Sequence, residues 1–243
     1  EYIDLGDARI AYREYGTGPT LVLLHGNSES KEIFSKYQRV HFNMFHTIAI
    51  DSRGHGETIS NDTEYSIRQY SEDVIGLCKA KGIAHSVVIG YSDGGNIALF
   101  LAKKEPKIFT KIVAISPNYL VSGTTDGALR FMRVSAKILR LLGGLGLPTK
   151  KAIMRFDLML NDIGISNEEL GSIQTSLRIL YAENDMIKEE HIKELGRLIP
   201  GATIKKIEHC NHLTILNKKE TIEDIRDYLL GEESNYPTNR QVV

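Results

Sequence analysis

Short apolar runs alternate with longer amphipathic segments along most of the 243-residue chain. Continuous apolar runs at 20–24, 47–50 and 111–116 are typical of strands that are buried on both faces of a sheet. Between them, apolar residues recur at steps of three and four, as in 67–77, which indicates helices with one buried face. Strands that alternate with helices predict an α/β fold with right-handed crossovers and a mainly parallel sheet.

The regular alternation stops after residue 117 and resumes near residue 174. A strand is predicted at 177–181, a last strand at 202–207 and a closing helix at 221–230. We therefore predict a core formed by 1–117 and 174–231, with a small helical cap at 118–173. Residues 232–243 are polar and are predicted to form a flexible tail.

The cap segment has two features that suggest a role in binding. Residues 128–142 have helical spacing, with basic residues beside the apolar ones at Arg130, Arg133, Lys137 and Arg140. Such a helix either binds an anionic group or simply presents a solvated charged face, which is the commoner case. Four methionines either line an adaptable apolar pocket or belong to the core of the cap: Met132, Met154, Met159 and Met186.

Composition narrows the possible partners. The chain is 42% hydrophobic and 25% charged, with a net charge of −1, so nothing attracts it as a whole to nucleic acid. No apolar run is long enough to span a bilayer and no signal-like start is present, which predicts a soluble, cytoplasmic protein. Cys78 and Cys210 suggest neither a disulfide framework nor a metal site. The sequence does not indicate an oligomeric state.

The stretch 87–100 contains the clearest chemical signal. An apolar run ends at Gly90, and Ser92 lies two residues from both Gly90 and Gly94, which gives the pattern G-x-S-x-G before a helix-like segment. A serine on such a tight turn projects its hydroxyl outward, and side chains at the two glycine positions would collide as the helix folds back on the strand. An ordinary glycine-rich turn between strand and helix is the alternative interpretation.

Polar groups also stand at the ends of three other predicted strands: 25–27, Asp185 and His212. Because the carboxyl ends of parallel strands share one edge of a sheet, these loops are expected to meet there. A serine hydroxyl needs a base to accept its proton, and a histidine oriented by an acid provides one. The order serine, acid, histidine differs from that of chymotrypsin and subtilisin.

With these motifs in this order, the chain resembles the α/β-hydrolase superfamily in its small, capped form. The likeness covers residues 8–230, and 51–56 (Asp-Ser-Arg-Gly-His-Gly) is similar to the D-x-R-G-x-G turn of that family. The resemblance implies an eight-stranded, mainly parallel sheet flanked by helices, with the cap inserted after the sixth strand. Relatives that are dehalogenases or epoxide hydrolases carry an aspartate where this chain has Ser92.

Matched position by position, the resemblance implies that Ser92 is the nucleophile, Asp185 the acid and His212 the base. The oxyanion donors would be the backbone amides of Asn27 and Asp93. No metal or other cofactor is implied. One departure is Asn211, which stands before the histidine where the family usually has glycine.

Several residues have competing interpretations. His209 is a second candidate for the base, but the distance of His212 from the acid and from the closing helix fits better. Glu183 is the nearest rival of Asp185, which could itself be a loop-capping acid. His25 is expected to shape the oxyanion loop. Structural roles are favoured for a further group at 51–55, namely Asp51, Arg53 and His55.

The sequence therefore predicts a serine hydrolase that cleaves a small, mainly apolar carboxylic ester through an acyl-enzyme intermediate. The same triad also serves cleavage of thioesters, amides and carbon–carbon bonds, and perhydrolysis. A ligand-binding or receptor module with negligible turnover is the alternative from another class.

Overall fold

The structure is a computed structural model that describes residues 1–231. Residues 232–243, for which a flexible tail is predicted, lie outside the described part. Within 1–231 the sheet is formed by nine strands: β1 (Tyr2–Asp4), β2 (Ala8–Tyr15), β3 (Thr20–Leu24), β4 (His46–Ile50), β5 (Ile59–Ser60), β6 (Ser86–Tyr91), β7 (Phe109–Ile115), β8 (Ser176–Asn184) and β9 (Thr203–Asn211).

Eight of the strands form one row in the order β1-β2-β4-β3-β6-β7-β8-β9. Every pairing from β4 to β9 is parallel, whereas β1, β2 and the two-residue β5 pair antiparallel. The predicted eight-stranded, mainly parallel sheet is therefore found, with β5 as an additional short strand that pairs with β2 outside the row.

Seven helices accompany the sheet in the described part of the chain: α1 (Ile67–Ala80), α2 (Asp93–Lys104), α3 (Asp126–Gly144), α4 (Lys150–Met159), α5 (Asn167–Gly171), α6 (Glu189–Leu198) and α7 (Lys219–Leu230). Strand β3 shows why the central strands are apolar throughout. Its Val22 and Leu24 belong to the core on one face, and Leu21 and Leu23 belong to the core on the other. A strand with both faces covered by helices needs apolar residues at every position.

The insertion between β7 and β8 contains α3, α4 and α5. It follows the sixth strand of the row and the seventh strand of the chain, because β5 lies outside the row. Met132 of α3 and Met159 of α4 line the same cavity as Ser92, so these two helices lie beside the carboxyl end of the sheet. Leu170 of α5 is instead buried in the main core with residues of α2 and α6.

The turn that follows β4 is held together by buried ion pairs. The Arg53 side chain is 2% exposed and forms two hydrogen bonds of 2.8 Å to the carboxylate of Asp73. It also pairs with Asp7 at 2.9 Å and Asp62 at 3.0 Å. Asp51 accepts hydrogen bonds from the Lys31 ammonium and from the amides of Lys31 and Glu57. These contacts connect the turn to the rest of the core.

Arg53→Met is expected to lower the free energy of unfolding by about 3–5 kcal/mol, because it leaves the buried Asp73 carboxylate without its partner. Urea denaturation followed by circular dichroism measures the change. Arg140→Met is the matched control, since Arg140 and Asp157 form a surface pair with side chains 50% and 42% exposed. That change should cost less than about 1 kcal/mol. Equal losses in the two variants would contradict the expectation.

Candidate active site

Ser92 lies on a tight turn between β6 and α2, with φ 54° and ψ −116°. Its amide donates a hydrogen bond of 2.8 Å to the carbonyl of Ile115, which fixes the turn to the neighbouring strand. A Cβ at Gly90 would collide with the carbonyl oxygen of Gly94, and a Cβ at Gly94 would collide with that of Leu24. Glycine is therefore required at both positions where α2 crosses back over the sheet.

Three side chains from distant parts of the chain meet at this turn. The Ser92 Oγ lies 3.1 Å from Nε2 of His212, and Nδ1 of His212 lies 2.7 Å from Oδ1 of Asp185. A carboxylate only accepts hydrogen bonds, so Nδ1 carries the proton and Nε2 is free to accept the serine hydroxyl. The structure thus brings together the three residues that the sequence predicts as nucleophile, base and acid.

The Asp185 carboxylate has a full set of partners and its side chain is only 2% exposed. Burial raises the pKa of this group, but hydrogen bonds from His212, Ser116 Oγ and the Ala182 amide outweigh it, and the pKa lies below its usual value. Ser116 donates at 2.6 Å, and the sequence analysis missed it. The only local signal is its place between a strand and Pro117.

Two contacts hold the loop that carries His212. The Tyr91 hydroxyl donates a hydrogen bond of 2.7 Å to the carbonyl oxygen of His212. Asn211 accepts hydrogen bonds on Oδ1 from the amides of Leu213 and Thr214, at 3.0 and 3.2 Å. Asn211 therefore replaces the usual glycine by capping the turn with its side chain. The left-handed conformation falls instead on His209, at φ 54°.

The rival candidates for base and acid lie together away from Ser92. The His209 side chain is 88% exposed, and its Nδ1 lies 3.8 Å from Oε2 of Glu183. The same glutamate oxygen accepts a hydrogen bond of 2.8 Å from the His209 amide. The structure therefore brings His212 and Asp185, rather than His209 and Glu183, to the serine.

The loop that follows β3 passes directly over Ser92. A Cβ on Gly26 would lie 3.1 Å from the Cβ of Ser92. Within residues 1–231, neither the backbone amide of Asn27 nor that of Asp93 donates a hydrogen bond. Asp93 is the first residue of α2. Free amides next to a reactive hydroxyl, one of them at a helix N-terminus, are suitable donors for a developing oxyanion.

Two buried histidines fasten this loop to the turn after β4. His25 donates from Nδ1 to the Gly26 carbonyl at 2.7 Å and accepts at Nε2 from the Ser52 amide at 3.1 Å. His55 accepts at Nε2 from the Ser28 amide at 3.0 Å and donates from Nδ1 to the Arg53 carbonyl at 2.9 Å. The two histidines thus form hydrogen bonds with the residues on either side of Asn27, namely Gly26 and Ser28.

Both histidines are neutral in this arrangement. Burial lowers the pKa of His25, and burial together with the neighbouring His25 lowers the pKa of His55 to about 3. The Nε2 atom of His55 therefore keeps its lone pair for the Ser28 amide at any pH well above 3.

Two carboxyl groups flank Ser92, and the sequence analysis did not identify them as part of the site. Asp93 is buried and accepts a hydrogen bond of 3.0 Å from Nδ2 of Asn27. Glu29 accepts a hydrogen bond of 3.1 Å from the Gly26 amide and lines a cavity with Ser92 and His212. Burial raises the pKa of both carboxyl groups. No local sequence signal places Glu29 against a histidine from the far end of the chain.

Two small cavities meet at Ser92. One, of about 120 Å³, lies on the side of His212 and is lined by Met159, Met186 and Leu213 among others. The other, of about 30 Å³, extends towards Asn96 and Asn118 and is also lined by Met132. Of the four methionines singled out in the sequence, Met154 alone is absent from these walls and lines an adjoining cavity.

No group of three or more His, Cys, Asp or Glu side chains in 1–231 is arranged to hold a metal ion. None of the helices in that range combines the length and the apolar character needed to cross a bilayer. Cys78 and Cys210 are both buried and unbridged, and burial raises the pKa of each thiol.

The chain is similar to known proteins both in sequence and in fold. A family profile described as alpha/beta hydrolase fold matches residues 19–137. In sequence, 113 residues are 31% identical to 2-(acetamidomethylene)succinate hydrolase of Mesorhizobium japonicum, which is 46% of this chain and 41% of that relative. In this sequence match the chain thus spans less than half the length of the relative.

Solved structures match over almost the whole chain. One, titled as Est816, an N-acyl homoserine lactone degrading enzyme, is 25% identical with a TM-score of 0.75, over 94% of this chain and 100% of that one. Another, of E-2-(acetamidomethylene)succinate hydrolase, is 19% identical with a TM-score of 0.78, over 94% and 98%. The chain belongs to the α/β-hydrolase superfamily.

Proposed function

We propose that the protein is a serine hydrolase that cleaves esters of small, mainly apolar carboxylic acids through an acyl-enzyme intermediate. The observation that carries this proposal is the hydrogen-bonded chain from Ser92 Oγ through His212 to Asp185, with distances of 3.1 and 2.7 Å. In this arrangement the Asp185 carboxylate can hold a proton on Nδ1 of His212, which leaves Nε2 to accept the proton of Ser92.

In the proposed first step, Ser92 Oγ attacks the ester carbonyl as His212 Nε2 accepts the hydroxyl proton. Asp185 holds the other ring nitrogen and stabilises the imidazolium that forms. The carbonyl oxygen becomes an oxyanion, which accepts hydrogen bonds from the amides of Asn27 and Asp93. Such donors are effective because they are fixed before the charge develops.

Collapse of this intermediate expels the alcohol, which takes its proton from His212, and leaves the acyl group on Ser92. A water molecule then gives a proton to His212 and attacks the acyl carbonyl. The acid is released and Ser92 regains its proton from the imidazolium. The residues of this chain supply every proton transfer, so the scheme needs no cofactor.

The surroundings of Ser92 favour an uncharged substrate of modest size. The two cavities that meet at the serine measure about 120 and 30 Å³, which suits a short acyl chain. The adjoining cavity is larger, at about 390 Å³, but Ser92 does not line it. Methionine and leucine side chains make much of their walls apolar. When they are ionised, the carboxyl groups of Glu29 and Asp93 would repel an anionic substrate. Binding an anion beside them would then require their protonation, which costs free energy at a pH above their pKa values.

Labelling with phenylmethylsulfonyl fluoride tests the nucleophile directly. Mass spectrometry should locate one sulfonyl group on Ser92, and Ser92→Ala should abolish the label. A panel of p-nitrophenyl esters from acetate to decanoate should show the highest kcat/KM for the short chains. The kcat/KM of an uncharged ester should be higher than that of the matched hemisuccinate, which carries a carboxylate.

Adding a thioester and an anilide to the panel tests two of the other candidate activities. If the kcat/KM of the thioester or of the anilide is higher than that of every ester, the bond that is cleaved would be reassigned. Tight binding of esters without turnover or labelling would indicate a binding module and would contradict the proposal.

His55 is expected to act as a positioning residue for the Asn27 amide. His55→Leu removes the acceptor for the Ser28 amide and should lower kcat by about tenfold or more, with a smaller change in KM. His55→Gln can offer an amide oxygen in place of Nε2 and should restore much of the loss. Affinity for a trifluoromethyl ketone, which forms the oxyanion, should fall in parallel with kcat. Unchanged ketone affinity in the leucine variant would count against this role.

A further inference from the structure

Helix α3 carries apolar side chains on two opposite sides. On the inner side, Leu129, Met132 and Ala136 are buried against the rest of the protein. On the outer side, four large apolar side chains are exposed at 48–68%: Phe131, Val134, Ile138 and Leu141. Their steps of three and four residues place them in one row, which we call the outer stripe.

Two more exposed apolar residues lie in the segment that follows the end of the helix. Leu145 is 74% exposed and Leu147 is 51% exposed, and both follow directly in the chain. Of the eleven large apolar residues that are exposed in 1–231, six thus fall within 131–147. Single exposed apolar residues are common on protein surfaces, but a contiguous group usually marks an interaction site.

A row of cations follows one edge of the outer stripe. Arg130, Arg133, Lys137 and Arg140 recur at steps of three, four and three residues, so they share one side of α3. Only Arg140 has an ion-pair partner among the described residues, namely Asp157 of α4. Lys150 and Lys151 at the start of α4 add two further exposed cations without acidic partners in 1–231.

We infer that the outer face of α3 docks on the surface of a bilayer that contains anionic lipids. Such a surface accepts an apolar stripe at the boundary between headgroups and acyl chains, and its phosphates and carboxylates attract the adjacent cations. A second copy that packs its own α3 against this face offers no such match. Asp126 is the only acidic residue of α3, so the row of cations would find no row of acids in the partner helix.

The inner side of the same helix reaches the candidate active site. Met132 lines the cavity that contains Ser92, while its neighbour Phe131 points to the outside. Docking would therefore place one wall of the site next to the lipid surface. The inference rests on the outer face alone and stands whether or not the proposed esterase activity is correct.

The absence of tryptophan from the sequence allows a clean test with the full chain. Phe131→Trp introduces a single reporter on the outer stripe, and Val40→Trp is the matched control at a remote position, where the native side chain is 57% exposed. With vesicles of phosphatidylcholine containing about 30% phosphatidylserine, the indole emission of the Phe131→Trp variant should shift to the blue, whereas that of the Val40→Trp variant should not. Vesicles of pure phosphatidylcholine should give a much smaller shift.

Flotation of variants with the same vesicles measures the contributions of the apolar stripe and of the row of cations separately. Phe131→Ser combined with Leu141→Ser, and Arg133→Gln combined with Lys137→Gln, should each reduce the vesicle-bound fraction at least about tenfold. Val40→Ser and Lys36→Gln with Arg39→Gln are the controls and should bind as the unmodified chain does. Thermal melting confirms that each variant is folded. Raising the salt concentration should release the protein, because ionic screening weakens attraction to the lipid.

Two results would overturn the inference. The first is equal binding of the unmodified chain to both kinds of vesicle, or its failure to bind either. The second is a lipid-free dimer that becomes a monomer in the Phe131→Ser and Leu141→Ser variant, since the outer stripe would then belong to a contact between two copies.

Discussion

Ser92→Ala should lower kcat for the best p-nitrophenyl ester by about 10⁴-fold or more, because no other group in the site can form the acyl-enzyme. His212→Ala should cost about as much, since the hydroxyl without its base is a poor nucleophile. The double variant should be no worse than either single variant. This lack of additivity is expected when two residues act as one unit in the same step.

Matched controls separate this effect from damage to the fold. Ser172→Ala changes an exposed serine that bonds to Lys103 far from the site, and His209→Ala changes the exposed histidine on the same loop as His212. Both should keep kcat within about twofold of the unmodified chain. A large loss of kcat in His209→Ala would reject the assignment. So would a Ser92→Ala variant that keeps its activity and still becomes covalently labelled.

Asp185→Asn is expected to lower kcat by about 10⁴-fold while the fold is retained. The carboxylate now receives a hydrogen bond from Nδ1 of His212 and others from Ser116, Ala182 and Ile187. An amide that keeps its oxygen at the Oδ2 position, where Ser116 and Ala182 donate, presents its NH₂ group to the ring at the Oδ1 position. The ring then carries its proton on Nε2, where it cannot accept the proton of Ser92.

Glu183→Gln is the matched control for Asp185→Asn, because Glu183 lies only two positions away in the chain and its carboxylate contacts the exposed His209 instead of His212. Its effect on kcat should be less than about twofold. Proton NMR should show the downfield Nδ1 proton of His212 in the unmodified chain and in Glu183→Gln, and its loss in Asp185→Asn. Comparable losses of kcat in the two variants would refute the role of Asp185.

Local pattern was a good guide to the central strands. The strands predicted at 20–24 and 47–50 are found at Thr20–Leu24 and His46–Ile50, because a strand covered on both faces leaves an unbroken apolar run. The strand β1 was missed, since its three residues show no periodicity and pair only at the edge of the sheet. β9 extends four residues beyond the predicted end, to Asn211, where it pairs with Asn184 across an irregularity.

The segment 28–42 shows how one change in backbone geometry defeats a periodicity argument. The spacing of Ile33, Phe34, Tyr37 and Val40 predicts one apolar side of a helix. In the structure, however, Val40 is 57% exposed and Gln38 is 1% exposed. Residues 37–41 form a π-helical turn, closed by the amide of Phe42 on the carbonyl of Tyr37. The wider turn rotates the chain, and the Gln38 amide finds buried partners in Thr47 and the carbonyl of Arg13.

By itself the sequence determined the alternation of strands and helices and the strained serine turn, because these depend on neighbours within about ten residues. It also contains the order serine, acid, histidine, and it favoured His212 over His209. Only the tertiary structure decided how Ser116 and His55 support the site, and which side of α3 faces outward. Ser92 and His212 are 120 positions apart, and their contact follows from the order of strands in the sheet. Hydrophobic periodicity records that a face is covered, but it does not record which element covers it.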